Sequence, residues 1–126
     1  MSSIGFTWSP TIKSEELAHL AAGIAADKKA EAIVALDLRN ISSFTDFFVI
    51  CSGTSEPHLK AIVSELQERL RKEHDVRPLA VDGFPTSQWV VADYGDVVVH
   101  IFHHEKRAFY SLEDLWGDAP RLELKA

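Results

Sequence analysis

Two apolar runs separated by one tight turn constrain the fold of this chain more than any other feature. Residues 88–93 form the first run, Tyr94 and Gly95 begin the turn, and residues 97–102 (Val-Val-Val-His-Ile-Phe) form the second. Short β-branched and aromatic runs joined by a glycine turn are typical of a β-hairpin. The chain is therefore expected to build a sheet around this hairpin, with other elements covering at least one of its faces.

Two segments before the hairpin have the apolar spacing of amphipathic helices. In the first, apolar residues recur on one helical face from Leu17 to Ile24, after Ser14 as the expected N-cap. In the second, they recur from Leu59 to Leu70, after a polar turn at residues 52–55 that ends a strand and caps the helix. Each helix is predicted to bury one stripe against the sheet.

Three further apolar runs predict strands. Residues 32–38 and 47–51 are joined by a link too short for a crossover helix, so they are expected to be antiparallel neighbours. Residues 79–81 return after the second helix and are expected to run parallel to 47–51. Together with the hairpin and a small helix at 112–116, the pattern predicts an α/β (α+β) domain. Its mixed five-stranded sheet would carry helices mainly on one face.

The 126 residues suit one domain, which we place at residues 14–117. Residues 1–13 are predicted to be a loose N-terminal tail and residues 118–126 a C-terminal tail. The net charge of −6 disfavours binding to nucleic-acid phosphates and favours a basic protein partner. A single cysteine, no apolar run near the roughly 20 residues that span a bilayer, and no signal or transit features predict a cytoplasmic protein without membrane contact.

The first strand of the hairpin has two chemically different faces. Trp89, Val91 and Asp93 project to one side, while the residues between them project with Tyr94 to the other. The sequence leaves open whether Trp89 belongs to the core or anchors a partner, because large aromatic side chains serve both purposes. After the hairpin, Arg107 and Tyr110 are one helical turn apart, which fits either a solvated ridge or an interface.

A possible enzyme site lies at the turn between the second strand and second helix. Gly53 and Ser55 there could present backbone N–H groups to a phosphate, as in nucleotidyltransferases, although a helix cap and tight turn is the favoured interpretation. Two metal ions would need paired carboxylates, and the next strand supplies only Asp82. A nucleotide-binding or nucleotidyltransferase-type enzyme using Gly53 and Ser55 is therefore the alternative function.

Three histidines at the end of the hairpin, His100, His103 and His104, are candidate metal ligands. No cysteine lies near them, and they follow a predicted strand rather than forming an H-x-x-x-H pair on a helix, so we expect no metal site and no cofactor. His100 is expected to make a hydrogen bond within or beside the core. Of the carboxylates that flank the first two strands, Asp46 is expected to cap a turn and Asp37 to pair with Arg39 or with solvent. Neither is expected to act as an acid or base.

Five segments together resemble the ribosomal silencing factor (Iojap-like) family in order and spacing: residues 36–38, 45–55, 82–83, 89–100 and 107–116. The resemblance extends from about Leu17 to Trp116, and its one small departure is Asp82, where a glutamate is usual. Each segment alone is a weak motif, but the combination is specific.

The resemblance implies a non-enzymatic factor with a nucleotidyltransferase-like fold, no catalytic residues and no cofactor. Such a factor binds the large ribosomal subunit through ribosomal protein L-fourteen and blocks joining of the small subunit, repressing translation under nutrient limitation. A homodimer is also implied. The positions that would form the contact are Trp89, Val91, Asp93, Tyr94, Arg107 and Tyr110.

Overall fold

The computed structural model describes residues 12–83, 88–105 and 119–124, which form two helices and one six-stranded sheet. The helices are α1 (Ser14–Asp27) and α2 (Glu56–His74). The strands are β1 (Glu31–Asp37), β2 (Phe47–Gly53), β3 (Ala80–Asp82), β4 (Trp89–Asp93), β5 (Val97–His103) and β6 (Arg121–Leu122). Neither of these helices has the length and hydrophobicity needed to cross a bilayer.

The sheet has the order β3-β4-β5-β2-β1-β6, with a parallel pair at its centre. Strands β2 and β5 run parallel from the Phe47–Val97 pair to the Gly53–His103 pair, and every other neighbouring pair is antiparallel. Both central strands are buried along nearly their whole length. Their continuous apolar sequences fit that position, because a strand covered on both faces needs apolar residues at every position.

The structure confirms the mixed sheet and the antiparallel β1–β2 pair, and it adds one strand. The sixth strand, β6, lies within the expected C-terminal tail and pairs with β1 through Ala35 and Leu122. A two-residue strand is too short to produce a periodic pattern, which explains why the sequence did not reveal it. Strand β3 runs parallel to β2, as predicted, but it is not next to β2. It lies at the sheet edge, because strands β5 and β4 occupy the two positions between β2 and β3.

The predicted start is correct for one helix and wrong by one residue for the other. The prediction that Ser14 is the N-cap of α1 is wrong, because the carbonyl of Lys13 already accepts a hydrogen bond from Leu17 N–H at 2.9 Å. Helix α2 begins as predicted, with Ser55 Oγ accepting from His58 N–H at 3.2 Å and a proline in the first turn. Its buried face is formed by Leu59, Ile62, Val63, Leu66 and Leu70.

Apolar clusters lie on both faces of the sheet. Both helices pack on one side, here called the helix face, against alternate strand residues such as Val49, Val99 and Ile101. This confirms the predicted placement of the helices. The opposite side, here called the Trp89 face, carries a second cluster. Its members are Leu36, Leu38, Phe48, Ile50, Val98, Phe102 and Ala119, with Val34, Trp89 and Val91 packed partly buried at its margin.

Candidate partner-binding surface

The six predicted contact residues do not all share one surface. Trp89, Val91 and Asp93 alternate along β4 on the Trp89 face, and each is half-buried. Tyr94 packs in the core on the helix face with only 9% of its surface exposed. The alternation predicted from the sequence is therefore correct, and it removes the Tyr94 side chain from the surface that Trp89 and Val91 share.

Two contacts hold the Trp89 indole in a defined orientation. Its Nε1–H donates to Nδ1 of His100 at 3.1 Å, and its ring stacks on Phe102 with the ring centroids 5.0 Å apart. Trp89 and Phe102 are directly paired across β4 and β5, so the stack is a cross-strand pair of the kind that stabilises sheets. The indole is consequently both a structural element of the sheet and a partly exposed aromatic side chain.

The acceptor of this hydrogen bond, His100, lies in the second cluster with 6% of its surface exposed. The Phe48 ring meets it edge-on at 4.5 Å. Burial lowers the pKa of His100 to about 4, against a smaller opposing effect of the Asp93 charge. Because Nδ1 accepts from the indole, the ring proton resides on Nε2, which has no hydrogen-bond partner among the described residues. The neutral imidazole is the form that can hold Trp89.

This geometry predicts an acid-sensitive contribution to stability. An unfolded histidine has a pKa near 6.5, so the folded state, with its depressed value, binds fewer protons. The contribution is complete above about pH 6.5 and is lost as the pH falls toward about 4. We expect His100 to account for a decrease of about 3 kcal/mol in the free energy of unfolding over that window.

Urea unfolding at pH 7.0, 5.5 and 4.0 measures this decrease. The matched control is His100→Gln, whose amide oxygen can accept the Trp89 N–H without titrating. The carboxylates are the same in the wild type and in His100→Gln, so the difference between the two proteins in how the free energy of unfolding depends on pH reports on His100. Identical profiles for the two proteins would contradict the assignment.

The end of β4 is shaped by Asp93. Its Oδ1 accepts from Gly95 N–H at 2.8 Å, and Tyr94 N–H donates to Val97 O at 2.9 Å, so the carboxylate closes the β4–β5 turn. Gly95 has φ +88°, a conformation that glycine adopts without strain. Burial raises the pKa of Tyr94 to about 12, and its hydroxyl has no partner among the described residues.

Two predicted contact residues, Arg107 and Tyr110, lie outside the residues that the structure describes. The same holds for the small helix expected at 112–116. Their contribution to a contact stays a prediction. Conversely, three large apolar side chains outside the predicted contact set are exposed in the structure, namely Ile41, Phe44 and Leu79. Ile41 and Phe44 are apolar residues within an otherwise polar connection, which is their only sequence signal. Leu79 was predicted to begin a strand, but that strand begins one residue later, at Ala80.

The turn considered for phosphate binding is occupied by contacts within the chain. Thr54 N–H donates to Nδ1 of His58 at 2.9 Å, and Nε2 of His58 donates to the Lys28 carbonyl at 2.7 Å. Together with the Ser55 cap, these bonds support the interpretation of the turn as a helix start. Within residues 12–83, 88–105 and 119–124, no three His, Cys, Asp or Glu side chains are grouped to hold a metal ion.

Asp37, also considered for catalysis, makes a structural contact. The Arg39 guanidinium donates two hydrogen bonds to the Asp37 carboxylate, at 3.0 and 2.7 Å, and the Arg39 backbone N–H donates a third at 3.0 Å; together they hold the pKa of that carboxyl below its usual value. This confirms the predicted pairing. The single cysteine of the chain, Cys51, is fully buried in β2, where a thiol behaves as a small apolar side chain.

The fold and the surface define a small α/β domain with a half-buried tryptophan on one face of its sheet. The sequence pattern described as "Ribosomal silencing factor during starvation" matches residues 11–126. The chain is 46% identical to the ribosomal silencing factor RsfS of Halalkalibacterium halodurans, over 90% of this chain and 97% of that protein. It is 41% identical to RsfS of Bacillus subtilis, over 90% and 95%.

Two solved structures are similar to this chain in fold and in sequence. A crystal structure of a Bacillus halodurans protein superposes with a TM-score of 0.75 at 44% identity, covering 87% of this chain and 99% of that one. A crystal structure of protein CV0518 from Chromobacterium violaceum gives a TM-score of 0.80 at 30% identity, covering 91% and 94%. The chain belongs to the ribosomal silencing factor family.

Proposed function

We propose that this protein represses translation by binding the large ribosomal subunit through ribosomal protein L-fourteen and sterically blocking joining of the small subunit. The observation that carries the proposal is the family match over residues 11–126, which includes every described element. Such a factor acts by occupancy and needs no catalytic turnover. The proposal also puts the protein in the cytoplasm with the ribosomes; a homodimer remains a prediction.

The Trp89 face supports this proposal physically. Trp89 and Val91 offer an oriented aromatic ring and an aliphatic side chain next to each other on β4, and tryptophan is enriched among the residues that dominate binding energy. The net charge of −6 complements basic ribosomal proteins, so electrostatic attraction would speed the encounter. A standard-sized interface with a few such anchors can reach nanomolar affinity, about −12 kcal/mol.

The proposal is tested by sedimenting the purified protein with isolated large subunits and then adding small subunits. We expect the protein to pellet with large subunits and the peak of joined ribosomes to decrease as its concentration rises. Excess purified ribosomal protein L-fourteen should compete for the protein and restore joining. Failure to pellet with large subunits at micromolar concentration would contradict the proposal, whereas pelleting without competition would exclude only the named ribosomal protein.

A further inference from the structure

Three large apolar side chains stand out because they are exposed. Phe44 and Leu79 have 69% and 75% of their surfaces accessible, and Ile41 has 45%. Single exposed apolar residues are common, but a cluster of them usually marks a contact with another molecule. The relevant question is whether the fold brings these three residues together.

The sheet topology puts all three at one end of the sheet. The β1–β2 connection, with Ile41 and Phe44, leads into β2 where Phe47 pairs with Val97 at the start of β5. Leu79 immediately precedes β3, whose first residue pairs with the last residue of β4. The β4–β5 turn lies between these two segments. Hence the exposed apolar residues flank that turn on both sides.

Backbone hydrogen bonds join these segments into one surface. The N–H groups of Asp46 and Phe47 donate to the Asp96 carbonyl at 2.8 and 3.1 Å, which fixes the β1–β2 connection against the turn. On the other side, Leu79 N–H donates to the Asp93 carbonyl at 2.7 Å. A methyl group built on Gly95 would lie 3.5 Å from Leu79 Cδ1, so the leucine side chain lies against the turn.

Three carboxylates lie at this end of the sheet. Asp46, Asp93 and Asp96 lie beside or within the turn, and none of them forms an ion pair with a described residue. Two described cations lie near these carboxylates, and each pairs with another carboxylate at 2.7 Å, Arg39 with Asp37 and Arg77 with Asp75. Arg39 also interacts electrostatically with Asp46 without forming an ion pair with it. An apolar patch with unpaired carboxylates around it complements a partner that offers lysine or arginine around apolar side chains.

We propose that the sheet end formed by Phe44, Leu79 and the Gly95–Asp96 turn, with Ile41 at its border, docks onto a basic protein surface. This inference rests on the proposed function, within which the sheet end extends the large-subunit contact beyond the Trp89 face. Asp93 joins the two surfaces, because its side chain is on the Trp89 face and its carbonyl holds Leu79.

The test compares the affinities of two variants for purified large subunits with that of the wild-type protein. The double variant Phe44→Ser, Leu79→Ser removes apolar surface that is already exposed, so its melting temperature should stay close to the wild-type value. We expect its dissociation constant to rise at least about tenfold, as for the loss of apolar anchors. Asp96→Asn should slow association mainly at low salt. Ala26→Ser, at an exposed position on α1, is the matched control and should change nothing.

The outcomes separate this inference from the proposed function. If the wild-type protein and the double variant bind large subunits equally well, the docking surface is wrong while the proposed function stands. If the wild-type protein does not bind large subunits, both are overturned. If the double variant loses affinity for protein-free ribosomal RNA to the same extent as for large subunits, the partner of this surface is RNA and not a basic protein. If the wild-type protein is a dimer and the double variant is a monomer with unchanged affinity for large ribosomal subunits, the surface serves self-association and the proposal is overturned.

Discussion

Gly83→Ala is expected to lower the free energy of unfolding by about 3 kcal/mol. Gly83 has φ +112°, a backbone conformation that residues with a side chain rarely adopt. A Cβ atom at this position would also collide with the Trp89 carbonyl oxygen and lie 2.9 Å from the Cα of Val90. Both obstacles are backbone atoms, so they cannot be relieved by a rotamer change, and the start of β4 would have to move away.

The measurement is urea unfolding of the variant beside Gly23→Ala as a matched control. Gly23 is inside α1, and a methyl group there meets nothing within 4 Å. The same chemical change should therefore stabilise the protein by up to about 1 kcal/mol through helix propensity. Opposite signs for the two variants are the expected result. A Gly83→Ala protein as stable as the wild type would show that the approach of Gly83 to β4 is not a constraint.

Trp89→Ala is expected to weaken binding to the large subunit by at least about 2 kcal/mol, which is about thirtyfold in the dissociation constant. The indole is partly exposed, and its orientation is fixed by His100 and Phe102, so little entropy remains to be lost on binding. Truncation removes the aromatic surface and leaves the His100 acceptor without its donor.

Titration of large subunits with labelled protein measures this effect, after circular dichroism and thermal melting show that the variant is folded. Two controls separate binding from packing. Trp89→Phe keeps an aromatic ring to stack on Phe102 but loses the N–H donor, and it should fall between the wild type and Trp89→Ala. Tyr94→Phe changes only a buried hydroxyl on the helix face and should bind normally. Unchanged binding in folded Trp89→Ala would locate the contact elsewhere.

Much of the fold is predictable because its elements satisfy local rules. The hairpin follows from two apolar runs about a glycine turn, and the buried side of α2 follows from the spacing between Leu59 and Leu70. The antiparallel β1–β2 pair follows from a short link. Strand β6 and the edge position of β3 do not follow, because pairing partners distant in sequence are chosen by packing of the whole sheet.

The surface was predictable only in part. Alternation along β4 correctly separates Trp89 and Val91 from Tyr94, but alternation cannot say which face the helices cover. That choice depends on tertiary packing. The exposure of Phe44 was likewise hidden, since an apolar residue in a connection can either pack under the domain or face solvent. Leu79 was predicted to lie in a strand, yet it precedes the strand and is exposed. Only the folded chain distinguishes the two.

The parallel pairing of β2 with β5 has a consequence for synthesis of the chain. Partners such as Phe47 and Val97 are fifty positions apart, so the innermost strand emerges from the ribosome long before its neighbour. Until the hairpin has been made, β2 has one edge unpaired and its apolar side chains are incompletely covered. The domain therefore closes late in translation, when its second half becomes available. A chain stopped after α2 would therefore expose an unpaired strand edge that can associate with other chains, and it would not contain a folded half of the domain.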